Sequence, residues 1–425
     1  MKAAGIIAEY NPFHTGHKYQ IDYVKKSLGA DYVIIAMSGD FVQRGTPALF
    51  SKYVRAEMTL RAGADLVLEL PTACASASAE LFAKGGVQLL NGLGVTDILC
   101  FGSECGDADI LMELARLLID EPEAFQNALR QNLKEGMTFP RARSLALAAL
   151  FPEHKAERYQ QVLSSPNNIL GIEYCKAILR EGSSMIPAAI KREGSGYHAH
   201  TLSAGSFPSA SAIRSTIVQA NKGSGSLNAS DSSLPLTALT CDFLPAPCQE
   251  LFYKSVFSNR FLLENDFDSL YRYCLLQETE ESLCTYLDMS RSLARRILAC
   301  RDRYETFSGF AQLLKTKDIT RTRIQRALLH MLLHIHKTPE QIPYARVLGF
   351  KRSSLALLGE IKKQGHIPLL TKLANADQIL CGPQSLAALS LLSETTFASN
   401  LYESMLAQKS GTSYIHEYKQ QIVII

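Results

Sequence analysis

Four short apolar runs, separated by amphipathic stretches, constrain the fold of this chain more than any other feature. The runs are AAGIIA from Ala3, DYVIIAM from Asp31, DLVLELP from Asp65 and DILCFGSE from Asp97. The stretches between and after them, at 17–28, 51–62, 76–93 and 107–118, have apolar residues at helical spacing. Short apolar runs that alternate with helical stretches are typical of a parallel α/β sheet. The pattern predicts such a sheet, with its ligand at the carboxyl ends of the strands.

A second part of the chain begins after a stretch rich in Ser and Gly. Residues 222–236 contain few bulky apolar side chains, which predicts a linker. Beyond it, LARRILACRDRY, FSGFAQLLK and TRIQRALLHMLLHI have apolar residues at helical spacing. We therefore predict an α/β domain over 1–221 and a mostly α-helical domain over 237–425. The closing apolar run, 421–425, is consistent with either an edge strand or a frayed terminus.

Positive charge is concentrated in the helical half. The whole chain has a net charge of only +3, but residues 301–363 hold thirteen Lys and Arg against five Asp and Glu. A basic run of this kind is compatible both with a solvated face and with phosphate neutralisation on a nucleic acid. The residues that we predict to contact RNA are Lys317, Arg321, Arg323, Arg326, Lys351 and Arg352.

We expect no segment that directs the chain to a membrane or into an oxidising compartment. Its first apolar stretch ends at Glu9 and is too short for a signal peptide or a membrane span. The ten cysteines form no CxxC pair, and His330, His334 and His336 have no carboxylate or cysteine at ligand spacing. We therefore predict a reduced cytoplasmic protein with no membrane association and no resident metal site.

The segment GIIAEYNPFHTGHKYQ, from Gly5 to Gln20, joins the first predicted strand to the first predicted helix. A helix N-terminus offers unpaired N–H groups and a favourable dipole, and His14 and His17 add further donors. Gly16 between them lets a ligand lie close to the backbone. The segment predicts an anion-binding site, although two histidines at this spacing also simply flank many turns.

Two further segments are candidates for the same site. SASAIR, from Ser209 to Arg214, would place hydroxyls and a permanent positive charge at a helix N-terminus, where they can hold pyrophosphate or merely cap the helix. Asp40 follows the second predicted strand, where it could accept a proton, hold a metal-bound water or cap a turn. Gln43, Arg44 and Lys52 are candidates for pyrophosphate or RNA contact, with solvated surface as the alternative.

The HxGH pattern after strand one resembles the signature of the class I nucleotidyltransferase superfamily, and SASAIR resembles its second phosphate-binding element. The whole chain is similar to the tRNA(Met) cytidine acetate ligases of Gram-positive-type bacteria. The segments that carry this similarity, besides SASAIR, are AEYNPFHTGHKYQI from Ala8, MSGDFVQRGTPALFSKYVRAEMTLRAGADLVLELP from Met37, FGSE from Phe101, SPNNILGIEYCKAI from Ser165, IKREGSGYH from Ile190 and ITRTRIQRALLHMLLHI from Ile319.

The resemblance implies a Rossmann-like parallel-sheet nucleotidyltransferase domain and a two-step reaction. ATP and acetate would form acetyl-adenylate, and the acetyl group would then pass to N4 of the wobble cytidine in elongator tRNA(Met). Magnesium is expected to bind with the phosphates, and no protein partner is predicted. We predict catalytic roles for His14, His17, Lys18 and Asp40. The predicted ATP-binding residues are Ile7, Ala8, Glu9, Tyr10, Asn11, Pro12, Phe13, His14, Thr15, Gly16, His17, Lys18, Tyr19, Gln20, Gly102, Asn168, Arg192, Ser209, Ser211 and Arg214.

Three other functions remain open on the sequence alone. The chain could be an adenylyltransferase that makes a dinucleotide cofactor, a ligase that activates a different carboxylate, or a non-catalytic RNA-binding protein. The long basic half argues against the first, and no amino-acid pocket is identifiable for a synthetase-like version of the second. The intact His14, Gly16 and His17 argue against the third.

Overall fold

The computed structural model describes residues 1–137, 139–192, 210–223, 243–382 and 385–425. Its strands are β1 (Ala3–Ala8), β2 (Tyr32–Ser38), β3 (Phe41–Val42), β4 (Thr46–Pro47), β5 (Leu66–Leu70), β6 (Ile98–Ser103), β7 (Ile186–Lys191), β8 (Ala345–Phe350), β9 (Leu369–Leu370) and β10 (Val423–Ile424). The helices of the first half are α1 (Thr15–Lys26), α2 (Lys52–Arg61), α3 (Thr72–Ala75), α4 (Ala79–Gly92), α5 (Ala108–Asp120), α6 (Glu123–Lys134), α7 (Phe139–Ala148), α8 (Glu153–Leu163), α9 (Pro166–Arg180) and α10 (Ala210–Gly223).

Beyond α10 the described chain is mostly helical. The α-helices there are Ala246–Phe257, Asp268–Gln277, Glu280–Leu283, Arg291–Cys300, Phe307–Leu314, Arg321–Leu333, Leu355–Gln364, Ala376–Ile379 and Ser385–Ser410. Short 3-10 helices lie at Glu264–Phe267, Arg301–Arg303, Arg352–Ser354, Leu373–Asn375 and Glu417–Lys419. Among all the helices that the structure describes, none combines the length and the apolar composition needed to cross a membrane.

A single large sheet organises the molecule, with strand order β10-β8-β5-β2-β1-β6-β7 and β9 paired to β8. All of its pairings are parallel except β5 with β8. The four apolar runs form β1, β2, β5 and β6, so the predicted α/β fold is confirmed. From β1 the chain builds β2 and β5 on one side and then returns to build β6 and β7 on the other. In such sheets the crevice for a ligand lies where the strand order reverses, here between the ends of β1 and β6.

Helices cover both faces of the sheet, which explains why its central strands are apolar throughout. Successive side chains of a strand point to opposite faces. Ile6 packs in one core cluster with Ile21 of α1, whereas Ile7 packs in another with Val87 of α4 and Ile172 of α9. We call these two sides the α1 face and the α9 face.

The second half of the chain joins the same sheet. β8 runs antiparallel beside β5, and the closing apolar run forms the edge strand β10, with Val423 opposite Gly349. Helices between residues 268 and 410 surround a third core cluster that includes Leu293, Ile324 and Leu392. The predicted linker, 222–236, lies outside the described residues apart from 222 and 223. The domain boundary at that point therefore stays a prediction.

Candidate active site

A cavity of about 270 Å³ opens at the carboxyl ends of β1, β6 and β7, where the strand order predicts a ligand site. Its walls come from β1, α1, the β3–β4 hairpin, α4, α9 and the start of α10. The lining residues are Ile7, Ala8, Glu9, Tyr10, Asn11, His14, Gly16, His17, Tyr19, Gln20, Gln43, Arg44, Phe82, Phe101, Gly102, Asn167, Leu170, Tyr174, Ile190, Lys191, Arg192, Ala210, Ser211 and Arg214.

The two histidines of the HxGH motif form the cap of α1. The Gly16 N–H donates to Nδ1 of His14 at 3.1 Å, and the His14 N–H donates to Nδ1 of His17 at 3.2 Å. The two rings stack with their centroids 3.7 Å apart. Because each Nδ1 accepts a hydrogen bond, the proton of each neutral imidazole is assigned to Nε2. Each ring therefore offers a fixed Nε2–H donor at the N-terminus of α1.

Both imidazoles are neutral at physiological pH. Burial, with a smaller contribution from Arg192, lowers the pKa of His14 to about 3. Burial, His14 and Arg192 together lower the pKa of His17 well below 6.5. A neutral imidazole with its proton on Nε2 can donate a hydrogen bond to developing negative charge. The pair is therefore suited to stabilise a leaving phosphate and unsuited to act as a general acid.

The charged residues of the cavity favour a polyanion. Among the described residues, four permanently or normally positive side chains line it, those of Arg44, Lys191, Arg192 and Arg214, against one carboxylate, that of Glu9. A concave site with such an excess of one sign concentrates ligands of the opposite sign. A triphosphate matches both the sign and the number of these charges.

The hydroxyl-rich turn also reaches the cavity. Arg214 donates to the Asn11 carbonyl and to Oγ of Ser211, the latter at 3.1 Å. Arg44 donates to the same Ser211 oxygen at 3.4 Å, from the opposite wall. Ser209 lies outside the described residues. The structure thus brings Ser211 and Arg214 next to the HxGH turn, in the same site for which the sequence made them candidates.

The predicted nucleoside contacts lie on the α1 face. Gly102 lies two residues after Cys100, and Arg192 lies two residues after Ile190. Each therefore points to the same face of the sheet as Cys100 and Ile190, which pack in the α1-face core cluster. A side chain at Gly102 would lie 3.2 Å from Cγ of Arg192, so glycine keeps space open there. Gln20 of α1 donates to the Cys100 carbonyl at 3.1 Å. These residues therefore surround the same space as the two histidines.

The sequence analysis missed eight described residues of the cavity wall, most of them apolar. Some of these residues lie on strands and point to the α9 face, as Ile7 does. The alternation of side chains along a strand was the signal that could have found them. Others belong to α9, whose buried face could not be assigned before its packing was known. The missed lining residues are Phe82, Phe101, Asn167, Leu170, Tyr174, Ile190, Lys191 and Ala210.

Two predicted catalytic residues do not line the cavity. Nζ of Lys18 pairs with Asp22 one turn later in α1, at 2.8 Å. Asp40 is buried, and its Oδ1 accepts the Lys52 N–H at 2.8 Å at the start of α2. Lys18 and Asp40 thus make local contacts, within α1 and at the start of α2. Their catalytic roles stay predictions.

Besides Lys18, four predicted ATP-binding residues lie outside the lining. The buried side chain of Asn168 accepts the Cys105 N–H at 3.0 Å and donates to the Val162 carbonyl at 3.0 Å, so it fixes the junction between β6 and α9. Its neighbour Asn167 faces the cavity instead. Pro12 and Phe13 belong to the turn before α1, and Thr15 is the first residue of that helix.

The predicted RNA-binding residues separate into two groups. Lys317, Arg321, Arg323 and Arg326 lie at or near the N-terminus of helix Arg321–Leu333, which packs on the β3–β4 hairpin at the cavity edge of the sheet. Arg326 is held by Asp288, with Nε to Oδ2 at 2.7 Å.

Lys351 and Arg352 belong to the other group. They follow β8, whose last residue, Phe350, lies opposite the first residue of β5, Leu66. Because β5 is parallel to β1, this is the edge of the sheet away from the cavity. A single RNA surface at the cavity therefore includes the first group and not the second.

A close contact joins the hairpin to helix Arg321–Leu333. Gly45 has a φ of +73°, and a side chain there would meet the Arg326 nitrogen at 2.3 Å.

Gly29 has a φ of +63° and open space around it, which makes it a matched control. Gly29→Ala should cost about 1–2 kcal/mol of unfolding free energy for the backbone conformation alone. Gly45→Ala should cost about 1–3 kcal/mol more, because the backbones must separate. Urea denaturation measures both, and equal costs would contradict the contact.

Comparisons with known proteins place the chain among its relatives. A family model described as HIGH Nucleotidyl Transferase matches residues 1–417. A protein of Acetivibrio thermocellus named tRNA(Met) cytidine acetate ligase is 37% identical over 434 residues, covering 100% of both chains. One of the same name from Clostridium perfringens is 39% identical over 385 residues, covering 88% of this chain and 91% of the relative. The chain belongs to the tRNA(Met) cytidine acetate ligase family.

Solved structures agree with this family. Thermotoga maritima TmcAL bound with alpha-thio ATP is 28% identical and has a TM-score of 0.88, covering 100% of this chain and 99% of that one. The apo form of the same protein has a TM-score of 0.89, with 100% of both chains covered. The family and the Rossmann-like nucleotidyltransferase fold expected from the sequence are therefore confirmed.

Proposed function

We propose that the protein is an ATP-dependent ligase that joins acetate to N4 of the wobble cytidine in elongator tRNA(Met), through an acetyl-adenylate. The observation that carries this proposal is the cavity, where two neutral imidazole donors and four cationic side chains surround a space of about 270 Å³. The names of the relatives and the ATP analogue in the Thermotoga maritima structure support the choice of substrates.

In the first step an acetate oxygen attacks the α-phosphorus of ATP, and the bond from that phosphorus to the bridging oxygen breaks. Pyrophosphate leaves toward the N-terminus of α1. There the Nε2–H groups of His14 and His17 and the guanidinium of Arg214 stabilise the charge that develops. Fixed donors of this kind need no rearrangement during the reaction. Holding acetate in line with the phosphorus contributes the rest of the acceleration.

Magnesium is expected to enter with the nucleotide. Within the described residues, His, Cys, Asp and Glu side chains form no group of three that would suit a metal ion. We expect phosphate oxygens and water to hold the ion. Bound there, magnesium would neutralise part of the phosphate charge.

The second step needs RNA at the cavity edge. Helix Arg321–Leu333 supports this role, because it carries basic residues and packs on the hairpin that supplies Gln43 and Arg44 to the cavity. We propose that Lys317, Arg321 and Arg323 contact phosphates of the tRNA. A cytoplasmic location follows from this partner and stays a prediction.

Acetate-dependent exchange of radioactive pyrophosphate into ATP tests the first step. We expect exchange with acetate and weaker or no exchange with formate, propionate or amino acids. Exchange that requires a different carboxylate would keep the nucleotidyltransferase chemistry and overturn the acetate assignment. Transfer of AMP to a phosphate substrate, without carboxylate-dependent exchange, would favour the adenylyltransferase alternative. Binding of tRNA without any exchange would favour a non-catalytic RNA-binding protein.

A further inference from the structure

The cavity extends beyond the α1 face. Ile7 and Phe101 point to the α9 face of the sheet, and Phe101 lies 5.3 Å from Tyr174 of α9, centroid to centroid. Together with Phe82 and Leu170 these side chains line the cavity, and we call them the apolar lobe. The residues expected to hold the nucleoside of ATP, Gly102 and Arg192, lie on the opposite face. The apolar lobe is therefore a different part of the cavity wall, and its side chains could hold a flat ring by its faces.

Glu9 adjoins the apolar lobe. It stands two residues after Ile7, in phase with it, and its Oε1 accepts the Gln43 N–H of the hairpin at 2.9 Å. Glu9 and Tyr174 both line the cavity, and burial, followed by the Glu9 charge, raises the pKa of the Tyr174 phenol. In the described part of the chain, no other Asp or Glu lines the cavity.

A carboxylate is unsuited to phosphate binding, because like charges repel. It is suited to an amine. In nucleic-acid recognition, Asp and Glu accept hydrogen bonds from the N4 amine of cytosine, and aromatic or apolar side chains hold an unstacked base by its faces. Enzymes that modify a base in RNA or DNA take it out of its stack into such a pocket.

We propose that the apolar lobe holds the target cytosine and that Glu9 binds its N4 amine and takes the proton released on acetylation. This inference rests on the proposed function. The Gln43 N–H holds one carboxylate oxygen, and in this proposal the other oxygen accepts from the amine.

The second step then balances as follows. The N4 lone pair attacks the carbonyl carbon of acetyl-adenylate, and a C–N bond forms. The bond from that carbon to the phosphate oxygen breaks, and AMP leaves with the electron pair. The N4 proton passes to the Glu9 carboxylate, which releases it to water once the product departs. Glu9 plays no part in the first step, where no proton is transferred.

The variant Glu9→Gln separates the two steps, because the amide keeps the bond to Gln43 but cannot take a proton. We expect acetate-dependent pyrophosphate exchange within about threefold of the unmodified protein, and acetyl transfer to tRNA slower by about 100-fold or more. Glu113→Gln, on the exposed face of α5, is the matched control and should leave both rates unchanged. Normal transfer by Glu9→Gln would overturn the proposal. So would loss of exchange, which would place Glu9 at ATP or magnesium.

A second variant tests the lobe itself. Leu170→Arg places a long, charged side chain into the lobe from the partly exposed start of α9. We expect the KM for ATP in the exchange reaction to stay within about threefold, while acetyl transfer is lost. A large rise in the KM for ATP would mean that adenine occupies the lobe, and the proposal would be wrong. If the unmodified protein itself shows no acetate-dependent exchange, the proposed function fails instead.

Discussion

His17→Asn should lower the rate of acetate-dependent pyrophosphate exchange by about 100- to 1,000-fold, the usual cost of removing one donor that stabilises developing charge. The asparagine oxygen can replace Nδ1 as acceptor for the His14 N–H, so the cap of α1 is kept. The Nε2–H donor is lost. His17→Gln places an amide N–H farther along the side chain, and we expect it to retain more activity than His17→Asn.

Pyrophosphate exchange at saturating ATP and acetate measures this effect. The exposed His366, at the far side of the molecule from the cavity, provides the control variant His366→Ala, which should exchange at the normal rate. Equal losses in His17→Asn and His17→Gln, together with a lower melting temperature in both, would show that His17 acts through the fold. Normal exchange in His17→Asn would contradict the role of the Nε2–H donor.

Lys52→Met should destabilise the protein by about 3–5 kcal/mol, because it removes one partner from a buried ion network. Nζ of Lys52 is fully buried and lies 2.6 Å from both Glu69 and Glu417. Arg346 pairs with the same two carboxylates. The network joins α2 and β5 to β8 and to the end of the chain, so its loss should loosen the contact between the two halves.

Urea denaturation followed by circular dichroism measures this cost. The exposed ion pair of Lys155 and Glu113 provides the control, and Lys155→Met should leave the denaturation midpoint nearly unchanged. A loss of stability no larger in Lys52→Met than in Lys155→Met would mean that the buried charges contribute nothing beyond their packing.

The same network predicts how stability responds to acid. Despite burial, the neighbouring Lys52 and Arg346 hold the pKa of Glu417 at about 2, below the ordinary value of 4.5. A carboxylate with a lowered pKa in the folded state stabilises the fold above its unfolded pKa. This contribution is lost as pH falls from about 4.5 toward 2.

The local signals in the sequence were sufficient for the central strands and for the turn before α1. Runs such as YVIIAMS are apolar throughout because helices cover both faces, and HxGH stands where β1 meets α1. β8 was not predicted, because it pairs with β5 across nearly 280 residues and no local pattern records that pairing. The basic stretch 301–363 gives no sign of this pairing either. Because β8 runs antiparallel to β5, Lys351, which follows β8, lies at the edge of the sheet opposite to Arg321.

Burial also determines which hydrogen bonds the polar candidate residues make. Asp40 followed a predicted strand, and Asn168 was a predicted ATP-binding residue, yet their side chains accept hydrogen bonds from the backbone N–H groups of Lys52 and Cys105. Glu9 was predicted only as a part of the nucleotide-binding segment. Its distinct position became visible when the phase of β1 placed it on the α9 face.

The most direct test of the account is a reaction of the purified protein with ATP, ¹³C-labelled acetate and unmodified elongator tRNA(Met), followed by mass spectrometry of the nucleosides. We predict ¹³C-labelled N4-acetylcytidine at the wobble position, formed together with one AMP and one pyrophosphate per acetyl group. Formation of ADP and phosphate instead, or an unmodified wobble cytidine despite acetate-dependent exchange, would contradict transfer through an acetyl-adenylate.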